Sequence, residues 1–272
     1  MSSGVRWDAA DYARSSSAQQ GWALDLIARL GLSGSEAVLD VGCGDGKVTA
    51  ELARLVPRGR VTGIDSSVDM VRLAQRSFPS SDIPNLEFEL ADARQLAFDR
   101  TFDVVFSNAV LHWVKDHRPV LRGISRCLRP SGKALLQMGG RGNAAEIMEC
   151  ARRLVETAEW SRWFQGFEEP WGFYGPEEYR AWCHEAGLEP RRVELLPRRM
   201  LQKGADGLAA WVRTTWMPYT QRLPEDRREP FIREVVHRYL QDHPPDQYGN
   251  VGVAMVRLEV EAVREGSSLH RP

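Results

Sequence analysis

The stretch VLDVGCGDGKVT, residues 38–49, decides the fold class. It begins with a short apolar run and continues with Gly42, Gly44 and Gly46, spaced two residues apart, and it carries carboxylates at Asp40 and Asp45. A glycine-rich turn directly after the first buried strand of an open α/β sheet lets a ligand approach the backbone closely. Carboxylates that line such a turn repel a pyrophosphate and attract a ligand that carries ammonium and sulfonium charge.

Short apolar runs alternate with helical periods up to about residue 140. Five runs have the length and composition of buried strands: residues 36–42, 59–65, 85–92, 102–108 and 132–138. This alternation predicts right-handed βαβ units and an open parallel sheet with helices on both faces. Two later apolar runs, 192–202 and 252–263, complete the sheet. We therefore expect a doubly wound, Rossmann-like α/β fold with seven mostly parallel strands, of which the final strand is antiparallel.

The chain is predicted to have three parts. Residues 1–32 form an N-terminal helical lid, and residues 33–140 form the cofactor-binding α/β core. Residues 141–272 supply a helical, aromatic-rich substrate cap, inserted late, together with the C-terminal strands. Residues 160–182 hold nine of the 24 aromatic residues of the protein, which favours a large or apolar substrate.

Composition excludes several classes of protein. The net charge is −1, so no basic field indicates nucleic acid or an anionic membrane. No apolar run approaches the roughly 18 to 20 residues of a membrane span, and no signal peptide is evident, so we expect a cytoplasmic protein. The four cysteines are far apart and match no zinc spacing, so no metal is expected.

Four motifs follow one another at the ends of the predicted strands. Asp65 ends the second strand 19 residues after Gly46, where an acid that accepts hydrogen bonds from a ribose is expected. In order, the motifs are VLDVGCGDG, GIDSS, ADARQL and FDVVFSNAVLHWV. Over residues 38–138 they resemble the motif set of class I S-adenosylmethionine-dependent methyltransferases. The resemblance implies an enzyme that uses S-adenosyl-L-methionine.

The same resemblance implies twelve residues that bind the cofactor. In chain order these are Asp40, Gly42, Cys43 and Gly44 at the methionine end, Asp65 at the ribose, Ser66 and Met70 flanking the adenine, Asp92 and Ala93 at the adenine edge, and Ser107, Asn108 and Ala109 beside the methyl group. Two alternatives remain open: the glycines can form a tight turn without a ligand, and Asp92 can be a solvated helix cap.

Two further segments, DYARSSSAQQ (11–20) and LHWV (111–114), are similar to those of a narrower group. It includes the trans-aconitate methyltransferases and the insect juvenile hormone acid methyltransferases, which methylate a carboxylate oxygen. The resemblance implies that Gln19 and Trp113 contact the acceptor carboxylate, with Gln20 as the alternative to Gln19. Tyr12 would reach the acceptor if the lid closes over the cofactor.

A carboxylate is already ionised at neutral pH, so its methylation needs no general base. A natural-product hydroxyl, amine or carbon would need one, and His112 is the candidate in that alternative.

Trp171 can line the acceptor pocket or pack internally. Arg198 and Arg199 can bind an acceptor carboxylate bidentately or form a solvated strand edge. A noncatalytic cofactor-binding protein is the least favoured alternative. The expected partner is a small-molecule acceptor, with no nucleic acid and no membrane.

Overall fold

The computed structural model describes residues 17–265, with side chains from residue 23 onward. Its sheet contains seven strands: β1 (Ala37–Val41), β2 (Arg60–Asp65), β3 (Leu86–Leu90), β4 (Phe102–Asn108), β5 (Leu128–Gly139), β6 (Leu188–Lys203) and β7 (Asn250–Arg264). They lie in the order β3-β2-β1-β4-β5-β7-β6. The pairs from β3 to β5 are parallel, and β7 is antiparallel to β5. The predicted fold class is confirmed.

The strand order reverses between β1 and β4, so the connections that follow these two strands leave on opposite sides of the sheet. Such a switch point opens a crevice at the carboxyl ends of the strands, which is where open α/β sheets bind ligands. The glycine turn follows β1, and the LHWV motif follows β4. The topology therefore brings these two motifs to the same edge of the sheet.

Nine helices belong to the described residues: α1 (Ser17–Ala28), α2 (Lys47–Leu55), α3 (Val68–Ser77), α4 (Arg118–Cys127), α5 (Ala145–Val155), α6 (Pro176–Glu185), α7 (Gly204–Thr215), α8 (Met217–Thr220) and α9 (Glu225–Asp242). Short 3-10 turns also form, among them Leu111–Trp113 in the LHWV motif. The strongly amphipathic pattern of α4 buries Val120, Leu121 and Ile124 against the sheet.

The described chain divides into two compact units. The sheet unit comprises 17–141, 171–196 and 257–265, and the helical unit comprises 142–170 and 197–256. The predicted division at residues 32 and 140 stays a prediction. In the helical unit, Trp160 and Phe164 are buried against Phe231 of α9, with ring centroids 5.2 and 5.5 Å away. Two rings of the aromatic segment therefore belong to the core of that unit, whereas its rings from Trp171 onward lie in the sheet unit.

In the sheet unit, apolar side chains cover both faces of the sheet. Val38, Val104 and Phe106 face one core, which also contains Leu26 of α1. Leu39 and Val105 face the other core, with residues of α4 and α6. All five residues of β1 are buried, as expected for a central parallel strand covered on both faces.

Candidate functional site

The glycine turn after β1 is fixed to the neighbouring strand. Gly42 and Gly44 have φ angles of 81° and 54°, in the left-handed region that favours glycine. The N–H groups of Gly42 and Cys43 donate to the Ile64 carbonyl at 2.7 and 2.9 Å. A Cβ at Gly42 would come within 2.3 Å of a Val110 methyl group. Only glycine fits at position 42, and the amides of Gly42 and Cys43 are used to hold the turn to β2.

Asp40 lies beneath this turn and is 2% exposed. Its Oδ2 accepts a hydrogen bond from the Thr49 hydroxyl at 2.7 Å. Burial raises the pKa of Asp40 from 3.8 to about 7; the Thr49 hydrogen bond opposes this shift, and the charge of Asp65 adds to it. Near neutral pH the protonated and ionised forms of this carboxyl are therefore both populated. A cation nearby would favour the ionised form.

Asp65 ends β2, and its carboxylate is oriented by the backbone. Oδ2 accepts from the Gly44 N–H at 3.1 Å, and Oδ1 accepts from the Ser67 N–H at 2.8 Å. Burial raises the pKa of Asp65, against the hydrogen bonds from these amides. Each carboxylate oxygen has a second lone pair, so both can also accept from the hydroxyls of a ribose.

The predicted adenine residues lie at the ends of β2 and β3. Met70 is buried in the first turn of α3, and Ser66 is exposed just before it. Asp92 caps the 3-10 turn Ala93–Gln95 and accepts from the Arg94 N–H at 2.9 Å. The Arg94 guanidinium also pairs with Asp92 at 2.5 Å, and this hydrogen bond lowers the pKa of the carboxyl. A ligand at Asp92 would have to share it with Arg94.

The end of β4 contains three residues with different environments. The Ser107 hydroxyl is buried and donates to the Val41 carbonyl at 2.7 Å, so it ties β4 to β1. Asn108 Oδ1 is a buried acceptor with no hydrogen-bond partner. Ala109 has a φ of 58°, which costs a non-glycine residue about 1 kcal/mol or more. An unused acceptor beside a strained backbone is typical of a binding site.

His112 is held in the corner that follows β4. Its Nδ1 accepts from the Gly139 N–H at 3.3 Å, which places the proton of the neutral ring on Nε2. Burial lowers the pKa of His112 from 6.5 to about 3, and the positive charge of Arg257 adds to the effect. The ring is therefore neutral at physiological pH and is a very weak base.

Trp113 joins a group of aromatic rings in the sheet unit. Its ring centroid lies 5.7 Å from that of Trp171, which stacks on Phe173 at 6.2 Å. The Gly172 N–H donates to the His112 carbonyl at 2.9 Å and so holds the 171–173 segment against the LHWV motif. Trp113, Trp171 and Phe173 all remain partly exposed. The structure thus brings together two predicted acceptor residues, Trp113 and Trp171.

The remaining predicted residues are placed as follows. Tyr12 lies outside the described residues, and Gln19 lies in α1 without a described side chain. Arg198 and Arg199 are exposed on β6, in the helical unit. Cys43 is buried, and burial raises the pKa of its thiol, so it is not a nucleophile.

Two residues near the site were missed by the sequence analysis: Val110 and Arg257. Val110 follows the motif residue Ala109 and touches the glycine turn. Arg257 lies within an apolar run that predicts a strand, where a single charge is normally assigned to the solvent face. In each case the missing information is a contact between residues far apart in sequence.

Comparison with known proteins gives a family and a fold. Residues 38–132 match the model of a methyltransferase domain. Methyltransferase C70.08c of Schizosaccharomyces pombe is 32% identical over 86% of this chain and 88% of its own length. The trans-aconitate 2-methyltransferase of Azoarcus sp. strain BH72 is 31% identical over 95% of this chain and 99% of its own length. The YcgJ protein of Bacillus subtilis has the same fold, with a TM-score of 0.62 at 18% identity over 91% of this chain and all of that one.

The part of the chain that the structure describes contains neither a membrane-spanning helix nor a metal-binding cluster. Between residues 17 and 265, no helix has the length and apolar character that crossing a bilayer requires. Among the same residues, no group of three or more His, Cys, Asp or Glu side chains is arranged to hold a metal ion.

Proposed function

The chain belongs to the class I S-adenosylmethionine-dependent methyltransferases, in the group of the trans-aconitate 2-methyltransferases, and on this basis we propose that it methylates a carboxylate oxygen of a small organic acid. The near full-length similarity to the Azoarcus trans-aconitate 2-methyltransferase supports this acceptor class. The state of His112 supports it independently.

The residues at the carboxyl ends of β1, β2 and β4 fit S-adenosyl-L-methionine, the cofactor of this family. Asp65 would hold the ribose hydroxyls. The unused Asn108 Oδ1 is an acceptor suited to the ammonium group of the methionine moiety. When bound, the cofactor supplies an electrophilic methyl group on a sulfonium. Asp40, Asp65 and the turn oxygens would provide the negative potential that such a cation needs.

The observation that carries the proposal is the hydrogen bond from the Gly139 N–H to His112 Nδ1, which occupies one ring nitrogen, and burial lowers the pKa of the ring. A hydroxyl or amine acceptor must lose a proton, and an efficient base has a pKa near the working pH. His112 has a pKa of about 3, and its Nδ1 is already engaged by Gly139. A carboxylate arrives ionised and needs only to be positioned. His112 therefore fits a structural role at the corner better than that of a base.

Catalysis would then come from orientation and from exclusion of water. Holding the attacking oxygen about 3 Å from the methyl carbon, in line with the bond that breaks, supplies a large part of the rate increase. The Trp113 indole N–H and the Gln19 amide are neutral donors that would aim the carboxylate without protonating it. The rings of Trp171 and Phe173 would cover the acceptor side of the corner and keep it dry.

The test is the release of S-adenosylhomocysteine with a panel of carboxylic acids, each paired with its amide. We expect turnover of acids only. At saturating S-adenosylmethionine, which removes the effect of the Asp40 titration on cofactor binding, the kcat/KM for the acid should stay level between about pH 6 and 9 because the reaction needs no base. The variant His112→Asn keeps an acceptor where Nδ1 was and removes the other ring nitrogen. Its kcat should stay within about tenfold of the wild type.

Loss of a general base lowers a rate by about 10² to 10⁴. A fall of that size in His112→Asn, or turnover of the amides, would refute carboxylate methylation without a base. It would favour a hydroxyl, amine or carbon acceptor instead. Tight cofactor binding without turnover on any acceptor would favour a noncatalytic protein.

A further inference from the structure

His117 is a buried histidine that the proposed chemistry does not use. It directly precedes α4 and is 0% exposed. Its Nε2 lies 2.8 Å from the Val114 carbonyl oxygen. Its Nδ1 is hydrogen-bonded to the hydroxyl of Tyr179, an equally buried residue of α6. Both ring nitrogens are therefore engaged, one by the LHWV motif and the other by a helix.

These hydrogen bonds fix the tautomer of His117. Burial lowers the pKa of the ring from 6.5 to about 4, so at physiological pH the ring is neutral and carries one N–H. The Val114 carbonyl can only accept, so this hydrogen is on Nε2, and Nδ1 accepts from the Tyr179 hydroxyl. The Tyr179 oxygen also lies 2.9 Å from Met138 Sδ, but a thioether is the weaker acceptor. Tyr179 thus keeps His117 a donor to Val114.

The backbone on either side of Trp113 is held through its carbonyl groups. Three carbonyls each accept a hydrogen bond from a different donor: His112 from the Gly172 N–H at 2.9 Å, Val114 from His117 Nε2 at 2.8 Å, and Lys115 from the Tyr174 hydroxyl. Trp113 itself is only partly buried, so the core constrains its ring less than it constrains His117. The direction of the Trp113 side chain therefore depends on how these carbonyls are held.

The contact between His117 and the LHWV motif is closely packed. A Cβ on Gly172 would come 2.6 Å from the Val114 oxygen and 3.0 Å from His117 Nε2. The Tyr174 ring meets the His117 ring edge-on, with centroids 4.8 Å apart. An apolar side chain that filled the place of the His117 ring would leave the Val114 carbonyl without this hydrogen bond and without room for a water molecule. The backbone beside Trp113 would then have to shift.

We propose that His117 is a positioning residue, which acts through the Val114 carbonyl to direct the Trp113 indole at the acceptor carboxylate. This role rests on the proposed carboxylate methylation, in which Trp113 aims the attacking oxygen. A displacement of about 1 Å in such a site lowers a rate by about 100-fold. The loss falls on kcat, because the cofactor residues at the ends of β1 and β2 make none of these hydrogen bonds.

The test measures kcat at saturating S-adenosylmethionine in the full chain, with the acid of the panel that the wild type turns over fastest. His117→Leu fills a similar volume without a donor, and it should lower kcat by about 100-fold. His117→Gln places an amide N–H near the position of Nε2, so its kcat should stay within about tenfold of the wild type. Both variants should keep the Kd for S-adenosylmethionine within about threefold. The matched control is His184→Leu, which replaces an exposed histidine of α6.

A double-mutant cycle separates positioning from general support of the fold. If His117 acts through Trp113, adding His117→Leu to Trp113→Phe should lower kcat by less than about threefold, because the indole N–H that His117 directs is already absent. Additive losses, or an unchanged kcat in folded His117→Leu, would overturn the assignment of His117.

Tyr179→Phe decides the matter if His117→Leu does not fold. It keeps the ring and removes only the hydroxyl that fixes the tautomer of His117, so kcat should fall by about tenfold, and again by less than about threefold in Trp113→Phe. Additive losses in this second cycle would overturn the assignment equally. Silence of the wild type towards every acid would instead overturn the proposed function, and that result needs no variant.

Discussion

Replacing Asp40 by Asn should stabilise the protein without its cofactor at alkaline pH. The Asp40 carboxyl is almost fully buried, and its pKa rises from 3.8 in the unfolded chain to about 7 in the folded one. Between these values the folded state binds a proton that the unfolded state has released. The contribution of this carboxyl to stability is therefore fully present below pH 3.8 and is lost as the pH rises through 7.

The size of the effect follows from the two pKa values. A difference of about three pH units, at about 1.4 kcal/mol each, gives about 4 kcal/mol of unfolding free energy lost between pH 4 and pH 8. Asn has the same shape as Asp, and its amide oxygen can still accept from Thr49. Asp40→Asn should therefore lack this slope and be up to about 4 kcal/mol more stable than the wild type at pH 8.

Urea unfolding followed by circular dichroism, from pH 4.5 to pH 8 without cofactor, measures the slope directly. Asp99→Asn, which removes an exposed carboxylate, is the matched control. If the unfolding free energies of the wild type and of Asp40→Asn changed equally with pH, the buried carboxyl would not titrate as described. Asp40→Asn should also bind S-adenosylmethionine at least tenfold more weakly. A tenfold loss corresponds to about 1.4 kcal/mol, which is a small share of the attraction between a buried carboxylate and a cation. Calorimetry tests that loss separately.

Two further predictions concern the sheet unit. Glu259→Gln leaves two arginines, Arg29 and Arg192, facing a neutral amide in a buried position, and it should lower the unfolding free energy by about 3 kcal/mol. Glu261 is half-exposed, so Glu261→Gln should lower the unfolding free energy by less than about 1 kcal/mol in urea titrations. Equal losses for Glu259→Gln and Glu261→Gln would contradict the role of burial. Gly42→Ala should cost about 2 to 4 kcal/mol, because of its positive φ and the collision with Val110. Adding Val110→Ala removes both methyl groups but leaves the Cβ of residue 110 at 2.7 Å, so it should recover part of the steric cost. A double mutant no more stable than the single one would contradict the collision with these methyl groups.

The fold could be predicted because its signals are local. The strands β1, β2 and β4 are short apolar runs, each with a helix between it and the next strand, and the handedness of βαβ units then fixes the topology. The C-terminal strands are longer than predicted: β6 begins at Leu188 and β7 at Asn250. Their ends contain polar residues that alternate with apolar ones, so an apolar run marks only their middle.

The candidate site could be predicted where a motif follows directly on a strand. Asp40, Asp65 and Asn108 lie at strand ends, and a parallel sheet brings such ends to one edge. The pairing of Arg257 with Gly139 could not be predicted in this way, because it depends on the register of two strands separated by about 120 residues of chain. The environment of His112 is equally non-local, since burial and a distant arginine set its pKa.

The contact between Gly42 and Val110 has a consequence for engineering. Val110 lies between the glycine turn and the LHWV motif, so a library that varies it to change the acceptor would also disturb the turn that receives the cofactor. Trp171 and Phe173 belong to a separate segment that is joined to this motif by one backbone hydrogen bond and by ring contacts. Under the proposed function, substitutions there would change acceptor choice without touching the glycine turn. Directed evolution of this scaffold would best begin at positions 171 and 173 and leave 110 fixed.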